Sequence, residues 1–157
     1  MVLPVGEWQD VDINIALDSG CCAHVLDAED VPGYRVVESP GSRRGQNFIV
    51  GNGNPVPNKG EVHLNMEADI DGGKTSLNSV FQVAAITRPL MSVSKICDQG
   101  LECLFSRTCA KVMNEDGSTV CEFAREGGLY VATMTLKAPN KDRSGHERPQ
   151  PFVRQSR

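Results

Sequence analysis

The chain has 157 residues, a length that suits one domain with a single core, because division into several domains starts well above it. Its formal net charge of -4 is small and its basic residues are scattered, which argues against a nucleic-acid partner for the folded part. No apolar run approaches the roughly 18 residues that span a bilayer, and no targeting segment opens the chain. We therefore expect an intracellular, cytoplasmic protein without a membrane partner.

The chain contains 15 glycines and 9 prolines, and short alternating apolar runs recur between turn signals. This pattern predicts an all-β fold. Residues 11–17 alternate apolar and polar or small side chains and lead straight into Asp18. We predict a half-buried strand with this acid at its end.

A hairpin is predicted around Asn52-Gly53, because these residues tolerate the positive φ that a tight turn needs. Pro55 and Pro57 lie in its second arm, and proline cannot donate to a strand ladder. Further strands are predicted over 62–70, which ends at a turn of Asp and two Gly, and over 77–86.

One short helix is predicted to open at Pro89, with Leu90, Val93 and Ile96 at helical spacing and Gly100 as its C-cap. Strands follow over 101–105, 109–113, 119–123 and 129–136. Residues 137–157 are polar and contain proline, and we predict a disordered tail there.

The tripeptide Asp18-Ser19-Gly20 carries the chemistry that a carboxyl-based hydrolase requires. The glycine lets the backbone turn tightly and offers its N–H to the carboxylate, and the hydroxyl can brace a neighbouring loop. The triplet alone is weak evidence, because all three residues are common in turns. Its position after an apolar strand, before a hairpin and a later helix, makes the pattern much more specific.

Two segments carry a recognisable pattern: residues 17–24 read L-D-S-G-C-C-A-H, and residues 89–100 read P-L-M-S-V-S-K-I-C-D-Q-G. They resemble the L-D-S-G-A-S-x-H and N-L-L-S-V-S-x-L-x-x-x-G segments of copia-type retrotransposon polyproteins. In that family these segments belong to the retropepsin-like aspartic protease region, with the following pre-integrase-like segment. Shorter matches continue in register, so that the resemblance covers roughly residues 11–134. Cys21 and Cys22 replace the family's small pair.

The resemblance implies a retropepsin-like closed barrel over residues 8–136, with a core of about 11–105, additional β-hairpins over 106–136 and a flap hairpin. Asp18 would be the catalytic carboxyl, Ser19 and Gly20 its loop, and Asn52, Gly53 and Asn54 the substrate-binding flap tip. No metal or organic cofactor is implied. Since the zinc knuckle and the integrase metal ligands that flank this region in the family are missing, we expect a fragment or a detached domain.

The sequence holds a single D-[ST]-G, so one chain cannot supply two catalytic carboxyls. We therefore expect an aspartic endopeptidase that acts as a homodimer on a polypeptide, with a water activated by one Asp of each chain. The main alternative is a retropepsin-like module that no longer cleaves and serves for dimerisation or peptide binding. A nucleic-acid-associated fragment that uses the basic tail is a third hypothesis.

The six cysteines show no C-x-x-C spacing, and we expect mostly buried, reduced thiols. A Cys22–His24 hydrolase pair and a zinc site of Cys21, Cys22 and His24 are weaker hypotheses than a structural or solvent-facing His24. His63 lies on the polar face of its strand, and His63 and His146 are expected to be solvated.

Overall fold

The computed structural model describes residues 7–140 and, for the backbone, 153–155. These residues form twelve strands, two short helices and a 3-10 turn at Ala28–Asp30. The strands are β1 (Val11–Asp18), β2 (Val25–Leu26), β3 (Asn47–Ile49), β4 (Pro55–Pro57), β5 (Gly60–Ile70), β6 (Gly73–Val83), β7 (Leu90–Ser92), β8 (Glu102–Phe105), β9 (Cys109–Met113), β10 (Thr119–Glu126), β11 (Leu129–Leu136) and β12 (Val153–Gln155). The helices are α1 (Pro40–Arg43) and α2 (Val93–Asp98).

The strand that ends at Asp18 lies inside the main sheet. Ile13, Ile15 and Leu17 of β1 point into the core and are at most 6% exposed, as the alternation of the sequence predicts. β1 pairs with β11 in antiparallel fashion on one side and with β7 in parallel fashion on the other. β11 pairs along residues 11–16 and β7 along residues 16–18, so the backbone at Asp18 is held by β7.

Ten strands form one large sheet, and β3 and β4 form a separate two-stranded sheet. Within the large sheet, hydrogen-bonded neighbours follow the order β1, β7, β2, β6, β5, β11. β11 pairs with β5 and also with β1, so these pairings return to the strand where they began. The predicted β-rich class is confirmed, and β8, β9 and β10 extend this sheet beyond β11.

The longest hairpin joins β5 and β6, which pair over their full eleven residues. The predicted strand over 62–70 is confirmed, and its partner begins at Gly73 rather than at residue 77. The turn between them needs positive φ, and Gly72 and Gly73 adopt φ values of 85° and 152°. Polar residues at 74–76 therefore belong to the strand, which the apolar pattern alone does not reveal.

The predicted helix is present but begins later than expected. Leu90 and Ser92 belong to β7, which pairs with β1, and α2 starts at Val93 with the Ser92 side chain as its N-cap. Strand pairing with β1 thus overrides the first helical turn that Pro89 could have opened. Gly100 follows α2 with a φ of 83°, as a left-handed C-cap residue does.

The sequence pattern does not predict α1, the shorter of the two helices. It spans only four residues, too few for an apolar period, and is set by a capping box in which Ser39 and Ser42 each accept from the other's backbone N–H. The fold therefore has two short helices where one was predicted. No helix in the described ranges has the length and apolar character that crossing a bilayer demands.

The core is continuous from the first strand to the last hairpins. Ile15, Leu64 and Phe81 belong to the same buried cluster as Val112 of β9 and Phe123 of β10. All five side chains are fully buried. The hairpins predicted over 106–136 thus pack against the strands that carry Asp18 and are part of one hydrophobic core.

Two other sequence predictions concern the histidines and the tail. His63 was expected to be solvated but is only 6% exposed, and its Nε2 lies 2.8 Å from a carboxylate oxygen of Glu61. Most of the predicted disordered tail, with His146, lies outside the described residues. In the part of this tail that the structure describes, the backbone N–H of Lys137 donates to the Asn65 carbonyl, and β12 pairs with β6.

Candidate active site

Asp18 lies at the carboxyl end of β1, half-buried, with its backbone paired to Ser92 of β7. The chain turns directly after it, and the N–H of Gly20 donates to Asp18 Oδ1 at 2.7 Å. A Cβ at position 20 would lie 3.2 Å from the same oxygen, so glycine allows this close approach. The contact that the sequence suggests between Gly20 and the carboxylate is therefore present.

The loop after Asp18 is braced by Ser92, not by Ser19. Ser19 is exposed, whereas Ser92 is fully buried and its hydroxyl donates to the carbonyl of Cys21 at 2.7 Å. The same oxygen accepts from the N–H of Lys95 at 3.2 Å, as an N-cap does. One hydroxyl thus connects the acid-bearing loop to the first turn of α2.

His24 completes this connection from the other side. Its Nδ1 accepts a hydrogen bond from the backbone N–H of Ser92 at 2.9 Å, and its ring packs on Phe81 with centroids 5.2 Å apart. Burial, with a smaller contribution from the charge of Lys95, lowers the pKa of His24 to about 4. The imidazole is therefore neutral near neutral pH, and the nitrogen that faces Ser92 is occupied and cannot serve Cys22 or a metal ion.

The two thiols beside Asp18 differ in environment. Cys21 is half-buried, and burial together with the negative charge of Asp18 and the neighbouring Cys22 raises its thiol pKa to about 11. It is a poor nucleophile at neutral pH, since the thiolate is the reactive form. Cys22 is exposed, and all six cysteines are free. The expectation of mostly buried thiols is wrong, because only Cys121 is fully buried, while three of the six are half-buried and two are exposed.

Asp18 lines a cleft with a volume of about 1150 Å³. Four segments line it: the loop from residue 16 to 23, the β3 arm of the hairpin, residues 85–88, and the ends of the β8 and β11 strands. Asp18 and Arg88 are the charged side chains of this lining, which is otherwise mainly apolar. A carboxylate in the lining of a largely apolar cleft is typical of a binding or catalytic site.

The hairpin predicted around Asn52-Gly53 is formed, with Gly53 at a φ of 83°. The structure places Asn52, Gly53 and Asn54 in its turn, while the cleft is lined by residues 46–51 of its first arm. The three site residues Asp18, Ser19 and Gly20 are therefore brought together in the cleft, and the three flap residues are not part of its wall. Their predicted contact with substrate stays a prediction.

The two prolines of the hairpin fit its ladder. The N–H of Val50 donates to the carbonyl of Asn54 at 3.1 Å, so hydrogen-bonded pairs fall at alternate positions. Pro55, opposite Ile49, and Pro57, opposite Asn47, therefore occupy pairs that do not hydrogen-bond to each other. A missing N–H at these two positions leaves the β3–β4 hydrogen bonds intact. By the same alternation, the backbone N–H and C=O of Ile49 point away from β4.

Sequence reasoning missed the part of the site that comes from the last hairpins. Phe105, Leu129 and Tyr130 line the cleft together with Asp18. Their position follows from the register of β11 on β1, in which Val131 lies opposite Ala16, two residues before the acid. The sequence predicts a strand that begins at Leu129, but no local pattern indicates which strand β11 pairs with.

Replacing Ser92 with Ala should destabilise the domain by about 2 kcal/mol, through the lost N-cap and the unsatisfied carbonyl of Cys21. Urea unfolding of the variant and the parent protein would measure this difference. Ser94→Ala is the matched control, because Ser94 is an exposed serine of the same helical turn, and its hydroxyl lies 3.1 Å from Ser92 Oγ. Equal effects of the two substitutions would contradict the role given to Ser92.

Within the part of the chain that the structure describes, no three Cys, His, Asp or Glu side chains are grouped as ligands of a metal ion. The site therefore consists of one carboxylate, its glycine N–H, a buried Ser92–His24 brace and an apolar cleft. Comparison of the chain with protein-family models, with curated proteins and with solved structures gave no match.

Proposed function

We propose that the protein is an aspartic endopeptidase of the retroelement type, active as a homodimer that processes a polyprotein. The observation that carries the proposal is the placement of Asp18: at a strand end, held by the Gly20 N–H, and open to a cleft of about 1150 Å³. A carboxyl that merely capped a turn would need no such cleft.

The strand pairings support a retropepsin-like closed barrel. The circuit from β1 through β7, β2, β6, β5 and β11 returns to β1, which is the pairing that a barrel requires. The separate hairpin of β3 and β4 lies beside the cleft as a flap would. The resemblance of residues 17–24 and 89–100 to copia-type protease regions agrees with this arrangement.

The chemistry follows from pairing two copies of the acid. Two carboxyls about 3 Å apart cannot both ionise, so that one keeps its proton, as in aspartic proteases generally. The ionised carboxylate accepts a proton from a water molecule, and the protonated one donates to the scissile carbonyl. As it loses this proton, the water oxygen bonds to the carbonyl carbon and forms a tetrahedral intermediate, without an acyl-enzyme. The C–N bond then breaks, and the carboxyl that took the proton from water donates it to the leaving amine. A single chain has one such triplet, so the second Asp18 must come from a partner copy.

The hairpin supports an extended polypeptide as the substrate. The β3 arm lines the cleft, and the backbone groups of Ile49 that point away from β4 can pair with an added strand. The largely apolar lining favours apolar side chains on either side of the cleaved bond.

The proposal is tested by incubating the concentrated protein at mildly acid pH with peptides from its flanking polyprotein, with and without a statine-type aspartyl inhibitor. A parallel reaction contains a thiol-alkylating reagent instead of the inhibitor. We expect the inhibitor to stop cleavage and the alkylating reagent to leave it unchanged. The alkylation control matters because Cys22 is exposed beside Asp18. Intact peptides at concentrations where the protein is dimeric would favour a module that binds without cleaving.

A further inference from the structure

Exposed apolar side chains are concentrated at the cleft. Over residues 7–140, four large apolar side chains are markedly exposed: Ile49 at 70%, Leu104 at 57%, Phe105 at 41% and Leu129 at 44%. Three of the four, all except Leu104, line the cleft that contains Asp18. Because exposed apolar side chains that gather at one place mark a binding surface, this grouping indicates a ligand with apolar groups.

The part of the cleft contributed by the last hairpins is held in place by specific contacts. The rings of Phe105 and Tyr130 meet edge to face with centroids 5.1 Å apart. The Tyr130 hydroxyl donates to the carbonyl of Ser106 at 2.7 Å, which fixes the ring against the end of β8. Phe105, Leu129 and Tyr130 together form a preorganised apolar surface, which we call the apolar wall.

We propose that the apolar wall binds one bulky apolar side chain of the substrate peptide and so determines its sequence specificity. This inference rests on the proposed function, since it assumes that the ligand of the cleft is a polypeptide. The hairpins β8 to β11 would then act in substrate selection as well as in the core.

The cleft itself argues for a peptide as the occupant. Its volume of about 1150 Å³ exceeds the roughly 300–1,000 Å³ that small-molecule pockets have, so that it accommodates several residues of an extended chain. The apolar wall and the outward-facing backbone of Ile49 border the same cleft, so side-chain and backbone recognition are both provided there. Asp18 lies in that cleft, which places a bound side chain close to the cleaved bond.

The test measures peptide binding rather than cleavage, so that it remains valid if the protein proves inactive. An Asp18→Asn variant would be titrated by fluorescence polarisation with a labelled eight-residue peptide. The peptide has a central Phe-Leu pair flanked by Ala, Ser and Gly, and its counterpart carries a central Ala-Ala pair. Phe105→Ser and Leu129→Ser would each be added to this background. Leu104→Ser is the matched control, because Leu104 is the neighbour of Phe105, is also markedly exposed and does not line the cleft.

We expect the Asp18→Asn protein to bind the Phe-Leu peptide about tenfold more tightly than the Ala-Ala peptide. Phe105→Ser and Leu129→Ser should remove most of this preference, and Leu104→Ser should leave it unchanged. Equal preference in all four proteins would overturn the inference. The inference would also be overturned if Phe105→Ser and Leu129→Ser kept the peptide preference but no longer sedimented as dimers. The apolar wall would then contact a second copy of the chain. Absence of cleavage by the parent protein would refute the proposed function alone.

Discussion

Replacement of Asp18 with Asn is expected to reduce peptide cleavage by about 10³-fold or more, the range that a general acid or base contributes. Asparagine has nearly the same shape and keeps an oxygen that can accept the Gly20 N–H, which lies 2.7 Å from Asp18 Oδ1. It cannot ionise, however, so the dimer would have no carboxylate to accept a proton from water. Initial rates on a flanking-polyprotein peptide would measure the loss.

The control for this substitution is Asp12→Asn on the same strand. Asp12 is exposed and lies away from the cleft, where its Oδ1 accepts from the Thr135 hydroxyl at 3.1 Å. The control should cleave at the parental rate, and both variants should keep the parental unfolding midpoint and sedimentation behaviour. Undiminished cleavage by Asp18→Asn would refute the assignment of the catalytic acid.

Acidification is expected to weaken the fold through His24. Its pKa is about 4 in the folded protein against an ordinary value of 6.5, so the unfolded chain binds a proton that the folded protein does not. The stability contributed by the neutral ring is complete above pH 6.5 and is lost as the pH falls towards 4. The shift corresponds to a loss of about 3 kcal/mol over this window.

The free energy of unfolding, measured in urea at a series of pH values, would show this decline. His24→Asn is the matching variant, because its side-chain oxygen can accept the Ser92 N–H and does not titrate in this range. The variant should lose the ring contact with Phe81 but show a shallower decline between pH 6.5 and 4. An identical slope in both proteins would contradict the role assigned to His24. Peptidase assays at acid pH must therefore be read against the fraction that remains folded.

The strand alternation and the turn residues made most of the sheet predictable. β1 with Asp18 at its end follows from period-two burial, and the hairpins at Asn52-Gly53 and before Gly73 follow from residues that tolerate positive φ. The contact of the Gly20 N–H with the carboxylate was also foreseen, because it depends on neighbours in the chain. Local geometry was thus readable from the sequence alone.

What the sequence could not reveal depends on contacts between distant segments. Ser92 braces a loop about seventy residues earlier, and nothing in its own segment specifies that partner. His63 lies at a polar position of its strand and is nonetheless only 6% exposed. Phe105 and Leu129 reach the cleft only because β11 pairs with β1. Such pairings are decided by the whole core.

Because β1 pairs with β11, the sheet around Asp18 can be completed only late in synthesis. Val11 lies opposite Leu136, and the hydroxyl of Thr133 donates to Asn14, 119 residues earlier in the sequence. Such distant pairing has a high contact order and forms slowly. During translation, the strand that carries the acid keeps one unsatisfied edge until the ribosome has released the final hairpin. The carboxyl site of the nascent chain is thereby unfinished until β11 has been synthesised and has paired with β1.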